Sequence, residues 1–563
     1  MKKEQLHEQH DFENIRHLVE WAAETYGEKI AYSYRLKASD KDIQKVSFIK
    51  LRDDVRALTS KLVSMGAKDK QCVLIGKFSY DWVITYFSVL SAGGVLAPLD
   101  RDWTEKDLCD TAMRADMAFL FCDKDIESKA AYIKENSGLE SDVVILNAEG
   151  EGSLASLVEQ GREVYAADPD LYFNTEIDAN KMSILVFTSG TTGKGKGVML
   201  SQTNVLSDLS TVIPFVDFSD KTVGVLPPHH TFGSSVMIVG HAIIGSEIYI
   251  SSGIRYITKE LKEQKPGHLV IVPLYLETFY RKIQANIKEQ GKEKLVARMM
   301  KISNGLLKVG IDMRAKFFGS IRAAFGGEVK MIISGGAPIN PDILHFFEGI
   351  GISTLNGYGI TECAPIVSVN RTRRSVEGSV GPLLPIDTVK IDDPNEDGEG
   401  EICVKGSNVM LGYYKDEAAT KDAMTEDGFF RTGDYGKLEG DVLFITGRKK
   451  NLIILSNGKN VYPEEIESEF MATPGVLEII VYEGQSKRGM EHNAIVAEIY
   501  PDKEFCDKNG ITDAYAYLKP FVDNYNRTAV PYKKIGVLKV RTEEFPKNTL
   551  RKIMRFKLDM SID

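Results

Sequence analysis

Short apolar runs alternate with amphipathic helical patterns along most of this chain, and that alternation constrains its fold more than any other feature. Phe12 to Tyr26 and Lys50 to Met65 repeat apolar residues at helical spacing, whereas Cys72-Val73-Leu74-Ile75, Ser183 to Phe187 and Met331 to Ile333 are continuous apolar runs of strand length. After about Pro365 the texture shifts to short strand-like runs divided by polar turns: Thr388 to Ile391, Glu401 to Val404 and Val442 to Thr446. From Asn451 the pattern is mixed again, with a strand over Leu452 to Leu455 and a helix opened by Pro463-Glu464-Glu465. With 563 residues the chain has room for about three to four units of ordinary domain size.

The net charge of −10 argues against a general nucleic-acid binder, because a phosphate backbone demands a basic footprint. Six cysteines without CxxC spacing point to reduced thiols, with neither a zinc site nor a disulfide framework. The start, Met1-Lys2-Lys3-Glu4-Gln5, lacks an apolar signal core, and the longest apolar stretches (Ser235 to Ile250, His268 to Tyr280) are too short or too interrupted to span a bilayer. One region departs from the acidic balance: Arg281 to Arg322 carries 11 Lys/Arg against Glu289, Glu293 and Asp312. It reads either as a solvated helical face or as a basic surface for anionic headgroups or a polyphosphate.

The strand Ser183 to Phe187 runs into Thr188-Ser189-Gly190-Thr191-Thr192-Gly193-Lys194-Gly195-Lys196-Gly197. Glycines let such a loop turn its N–H groups inward around an anion, hydroxyls add donors, and Lys196 adds a mobile charge. Gly190-x4-Gly195-Lys196 nearly fits a Walker A loop, but Gly197 stands where Ser or Thr would ligate magnesium. Moreover Val198-Met199-Leu200 reads as a strand and Ser201 as the cap of the next helix, so the loop sits between two strands instead of opening a helix.

This loop resembles the signature of the adenylate-forming superfamily of acyl- and aryl-CoA synthetases, luciferases and peptide-synthetase adenylation domains. It differs at Gly195, where that superfamily usually has proline, and a more mobile loop is the expectation. Further motifs follow in order. Gly93-Gly94 to Pro98-Leu99-Asp100 resembles an early structural motif. Leu226-Pro227-Pro228-His229-His230-Thr231-Phe232-Gly233 resembles the segment bordering the acyl site, with His230 in that role; alone, His230 reads as an interior histidine. Gly335-Gly336-Ala337-Pro338 resembles the turn lying against adenine.

In Asn356-Gly357-Tyr358-Gly359-Ile360-Thr361-Glu362 the resemblance implies that Tyr358 stacks on adenine, Thr361 bonds the α-phosphate and Glu362 holds magnesium, helped by Thr191. Asp434, in Arg431-Thr432-Gly433-Asp434, matches the ribose-binding aspartate, Arg448 a second ribose contact, Lys450 the hinge, Gly458 the pantetheine border and Lys552 the catalytic lysine. Arg551 replaces a usual glycine.

The implied ATP- and AMP-binding set is thus Thr188, Ser189, Gly190, Thr191, Thr192, Gly193, Lys196, Gly335, Gly336, Ala337, Pro338, Asn356, Gly357, Tyr358, Gly359, Thr361, Asp434, Arg448 and Lys552. Lys552, Thr361, Glu362 and His230 form the catalytic set. The expected fold class is α/β, a large N-terminal domain of mixed-sheet subdomains plus a β-rich subdomain, with a small mobile α+β C-terminal domain. The expected boundaries are 1–447, a hinge at 448–452 and 453–563.

The resemblance implies ATP, Mg2+ and CoA, and activation of an acid as acyl-AMP before transfer to CoA. Phe232 to Met237 offers no carboxylate for a substrate ammonium, which disfavours an amino acid. Gly357 to Asn370 and Ser456 to Glu467 are most similar to long-chain fatty acyl-CoA synthetases. Aryl or other acids such as bile acids, a carrier-protein phosphopantetheine acceptor, and a catalytically inactive nucleotide-binding regulator stand as alternatives; intact Glu362, Asp434, Arg448 and Lys552 oppose the last. The expected location is cytoplasmic, with peripheral contact at the inner membrane face through 281–322.

Overall fold

The computed structural model describes residues 4–188, 195–455, 460–471, 473–484, 494–547 and 553–562. Helices begin where a side chain satisfies the otherwise orphaned N–H groups of the first turn. Ser47 accepts from Lys50 N–H to open Phe48–Ser64, and Asn14 accepts from His17 N–H to open Ile15–Tyr26. Both starts therefore differ by two or three residues from those expected at Lys50 and Phe12. Ser201 does cap the helix Gln202–Val212, in a reciprocal capping box with Asn204.

A seven-stranded sheet forms the first layer, in the order Gly412–Tyr413, Gly197–Ser201, Met182–Phe187, Val95–Leu99, Gln71–Ile75, Met117–Asp123, Val143–Leu146. The last five strands are parallel to one another; Gly197–Ser201 runs antiparallel to Met182–Phe187, with Phe187 opposite Gly197. The phosphate loop accordingly joins the two strands of a hairpin, as its flanking sequence predicts, and the Walker reading is excluded.

A four-stranded sheet carries Ile30–Tyr34, Glu247–Ile250 and Lys221–Gly224 in parallel, edged by Gln44–Ser47. Another carries His268–Ile271, Met331–Gly335 and Ser353–Gly359 in parallel, closed by the antiparallel Ile366–Val369. The β-rich region is a five-stranded antiparallel sheet ordered Gly381–Pro382, Val442–Arg448, Phe430–Glu439, Gly400–Lys405, Thr388–Asp392. Beyond residue 452, Val476–Gly484, Ala494–Pro501 and Val537–Val540 form a small sheet packed by Pro463–Phe470 and Ala514–Thr528, with an apolar core of its own.

All six cysteines are buried and unpaired. Among the described residues no helix is long and apolar enough to cross a membrane.

The segment Phe232–Val239 is wound as a π-helix, and the Gly240 N–H bonds the carbonyl of Ser235, five residues back. Just beyond it, His241 is fully buried against His268, their Nε2 atoms 3.0 Å apart. His241 Nδ1 lies 3.2 Å from the Val236 carbonyl, and His268 Nδ1 lies 2.8 Å from the Ser219 hydroxyl. One tautomer set satisfies every atom: His241 donates from Nδ1 and accepts from His268 Nε2, whose Nδ1 accepts from Ser219.

Burial pushes His241 down to about 4 and His268 well below its ordinary range. Both stay neutral when folded but take up a proton near pH 6.5 when unfolded. Stability should therefore be fully present above pH 6.5 and fall as pH drops toward 4, by about 1.4 kcal/mol per pH unit for each histidine. Denaturant midpoints at pH 7, 6 and 5 should show a shallower decline in His268→Gln than in the wild type.

Candidate functional site

The carboxyl ends of the parallel strands converge on a cleft of about 2020 Å3. Lys77, Phe78, Asp100 and Arg101 line one side, Leu226 to His229, Leu274, Tyr275 and Phe279 another, and Lys547 and Met554 a third. Thr188 and Gly195, the two stems of the phosphate loop, also line it. Ser189, Gly190, Thr191, Thr192 and Gly193 lie outside the described residues, as do Gly458 and Lys552.

A second cluster, not part of the cleft lining, is built where the third sheet meets the β-rich sheet. Tyr358 sits on the strand Ser353–Gly359, and its hydroxyl donates to Asp434 Oδ2 at 2.7 Å. Asp434, buried on Phe430–Glu439, faces Arg448 across the strand pair, with Arg448 Nε 3.1 Å from Oδ1. Asp434 first, against the opposing cost of burial, raises the Arg448 guanidinium. Burial and then the Asp434 carboxylate push the Tyr358 hydroxyl well above its ordinary range, which keeps it a donor. The sequence-predicted adenine and ribose residues are thus brought into direct contact.

Gly335 stands in register with Gly357, and a Cβ built on Gly335 would meet only the Gly357 carbonyl at 3.5 Å and Phe232 at 3.7 Å. Gly336 holds a left-handed φ of 88°, opening the turn into Ala337-Pro338. The buried Asn356 Oδ1 has no hydrogen-bond partner among the described residues, an acceptor suited to the exocyclic amine of a purine. With an aromatic face, a buried carboxylate and this orphan acceptor, the cluster fits an adenosine.

The 360–366 turn is closed by Ile360 N–H to the Pro365 carbonyl at 2.8 Å. A Cβ on Gly359 would lie 2.1 Å from that carbonyl, so this position requires glycine. The turn aims Thr361 and Glu362, whose carbonyl accepts from Met410 N–H at 2.8 Å. Glu362 Oε1 accepts from the Tyr413 hydroxyl at 3.0 Å, and the Tyr413 ring carries Lys196 Nζ 4.4 Å from its centre. Tyr413 therefore joins Glu362 to the phosphate-loop lysine. No sequence signal marked it; Leu411-Gly412-Tyr413-Tyr414 looks like any short strand. Burial raises Glu362 above the usual carboxylate range, disfavouring its negative charge until a cation arrives. A hard oxygen donor in that situation fits Mg2+.

His230 does not line the cleft; its neighbour His229 does. The two rings lie 4.2 Å apart, and the His230 carbonyl accepts from Ser234 N–H at 2.8 Å. His229 is buried with Nε2 3.7 Å from Asp100 Oδ2, and burial lowers it despite Asp100 and Asp102. Sequence reasoning passed over His229 because adjacent histidines carry no cue to which one faces the cleft.

A family model described as AMP-binding enzyme matches residues 19–414. The chain belongs to the AMP-binding enzyme family. Within the family it is 29% identical to long-chain-fatty-acid–CoA ligase 5 of Rattus norvegicus, over 84% of this chain and 74% of that protein. It is 28% identical to long-chain-fatty-acid–CoA ligase FadD15 of Mycobacterium bovis, over 76% and 74%. Among solved structures it resembles ATP-bound MatB from Rhodopseudomonas palustris, with a TM-score of 0.74 and 25% identity over 96% and 97% of the two chains. It shares its fold with o-succinylbenzoate CoA synthetase of Bacillus subtilis in complex with ATP and magnesium, with a TM-score of 0.70, 20% identity and coverage of 96% and 98%.

Tyr358→Phe keeps the ring and removes one hydrogen bond, so KM for ATP should rise less than about fivefold. Asp434→Ala strands Tyr358 and Arg448 and removes the carboxylate expected at the ribose, so the rise should be about tenfold or more. Steady-state pyrophosphate release against ATP concentration checks both.

Proposed function

We propose that the protein activates a medium- or long-chain fatty acid as its acyl-adenylate and passes the acyl group to CoA. The enzyme is an AMP-forming acyl-CoA synthetase that uses ATP, Mg2+ and CoA; the fatty acid is the part inferred. The observation that carries the reading is the contact of Tyr358 and Arg448 with Asp434, next to a turn that aims Thr361 and Glu362.

A carboxylate is a poor electrophile because its leaving group would be oxide. Its oxygen attacks the α-phosphorus of ATP, the α–β bridging bond breaks, and pyrophosphate leaves with the bond electrons. Tyr358 and Asp434 hold the base and ribose, and Thr361 orients the α-phosphate. Glu362, with Thr191, would hold Mg2+, which supplies charge neutralisation on the phosphates. Lys196 and Lys552 add positive charge where negative charge develops.

Lys547 and Ile553 pair as a bridge, Met554 N–H bonds the Pro546 carbonyl at 2.8 Å, and Lys547 and Met554 face the cleft that Thr188 lines. That placement of the residues flanking Lys552 supports its assignment to adenylation. Arg448 ends its strand and Lys449–Asn451 is a single turn, which supports a hinge at 448–452 between units 1–447 and 453–563. Rotation there withdraws Lys552 and brings Gly458 forward; the CoA thiolate then attacks the acyl carbonyl and AMP leaves.

Lys552→Ala should lower adenylation about a hundredfold or more while thioester formation from supplied acyl-adenylate persists. Lys450→Pro should impair mainly the second step. Pyrophosphate release across fatty, aryl and bile acids, with CoA or a phosphopantetheinyl carrier protein, tests the acid and the acceptor. A fatty acid with CoA should give the highest kcat/KM, and preference for an aryl acid or for the carrier protein would overturn that part.

A second reading concerns the basic region. In the helix Glu293–Leu307, Ser303 is the buried residue, while Leu295, Ile302 and Leu307 are exposed, followed by exposed Val309 and Ile311. Lys294, Arg298, Lys301 and Lys308 alternate with them. Apolar side chains interleaved with cations suit peripheral docking on an anionic bilayer. Cosedimentation with anionic vesicles should be salt-sensitive, and Arg298→Glu/Ile302→Ser should weaken it about tenfold or more; indifference to both salt and the double substitution would exclude this surface.

A further inference from the structure

The helix Glu105–Arg114 is not part of the motif set, yet its last residue reaches the neck of the phosphate loop. One Arg114 N–H donates to the Gly195 carbonyl at 2.6 Å. The guanidinium carbon lies 5.2 Å from the centre of the Phe187 ring. Phe187 ends the strand that enters the loop, and Gly195 leads into the strand that leaves it. Arg114 therefore touches both stems.

The neck is narrow. Thr188 N–H donates to the Lys196 carbonyl at 3.0 Å, and the Thr188 hydroxyl lies 3.4 Å from the same oxygen. A Cβ on Gly195 would fall 2.1 Å from the Thr188 carbonyl, so alanine or proline there forces the stems apart. Glycine permits the closure but contributes no side chain to fix it. Arg114 supplies that fixation from outside the loop, through an exposed guanidinium that donates to Gly195 and lies over the Phe187 ring.

The same helix end is also tied to the exit strand through Tyr414. Asp116, at a left-handed φ of 54°, accepts from the Tyr414 hydroxyl and from Lys415 Nζ at 2.6 Å. Tyr414 N–H donates to the Gly197 carbonyl at 2.7 Å. Its neighbour Tyr413 carries Lys196 and bonds Glu362. The exit of the loop, its lysine and the metal-holding carboxylate thus share one support.

We infer that Arg114 is a positioning residue for adenylation, clamping the two stems of the phosphate loop through Gly195 and Phe187. It rests on the reading of that loop as the site of the ATP phosphates. Arg114 itself forms and breaks no bond in the reaction; it holds the loop donors where the phosphates arrive.

The full-length enzyme tests this with Arg114→Met, Arg114→Lys, Gly195→Ala and the Arg114→Met/Gly195→Ala pair. Arg114→Met should raise KM for ATP about tenfold and lower kcat for pyrophosphate release, the loss of one charge-assisted hydrogen bond. Thioester formation from supplied acyl-adenylate should stay within about twofold of wild type, because ATP phosphates take no part in that step. Arg114→Lys, which keeps a donor and loses the stacking, should recover part of the KM. Gly195→Ala should reproduce the defect, and adding Arg114→Met to it should cost less than about twofold more, because the clamp is already open.

A silent Arg114→Met, equal losses in both half-reactions, or fully multiplicative effects in the pair would overturn the inference. Should Gly195→Ala fail to fold, the Met-to-Lys comparison and the half-reaction split still decide it. Lys196→Ala separates the two levels: if it too leaves KM for ATP unchanged, the phosphate reading of the loop fails, whereas a raised KM beside a silent Arg114→Met removes only the clamp.

Discussion

The buried carboxylate of Asp434 is the point on which the catalytic arrangement depends. Its two oxygens take a hydroxyl from Tyr358, on one sheet, and a guanidinium from Arg448, on the strand beside its own. A carboxylate offers about four acceptor positions, so two partners leave room for ribose hydroxyls. The same group that would recognise the sugar therefore fixes the aromatic ring for the base and the last residue before the turn at 449–451. One side chain thus ties together three residues from two sheets.

Much of this was legible in the sequence because glycine spacing and hydroxyl or carboxylate placement are local properties. The hairpin around the phosphate loop and the Ser201 cap follow from residues within a few positions of each other. The first helix starts at Ile15 and not Phe12 because apolar periodicity extends past the capping Asn14, whereas the second starts two residues before Lys50 because Ser47 caps it.

What the sequence concealed are contacts between residues far apart in the chain, made by ordinary residue types. Tyr413 meets Glu362 and Lys196, Arg114 meets Gly195, and His241 meets His268 only after three sheets have been assembled. The π-helical winding of Phe232–Val239 has no composition of its own either. His229 lines the cleft and the expected His230 does not, although the two stand side by side in the sequence.

The hairpin that carries the phosphate loop has a consequence for how the loop can vary. Its two strands are locked by a register running from Met182 opposite Ser201 to Phe187 opposite Gly197, and the next helix begins only after that ladder ends. The loop exits into a strand and not directly into a helix, so its own flanks supply no helix N-terminus. A turn anchored in this way can lengthen or shorten at its tip while the sheet beneath keeps its alignment. Diversification of the loop and conservation of the scaffold are thereby mechanically uncoupled, a freedom denied to a loop whose last residue is the first of a helix.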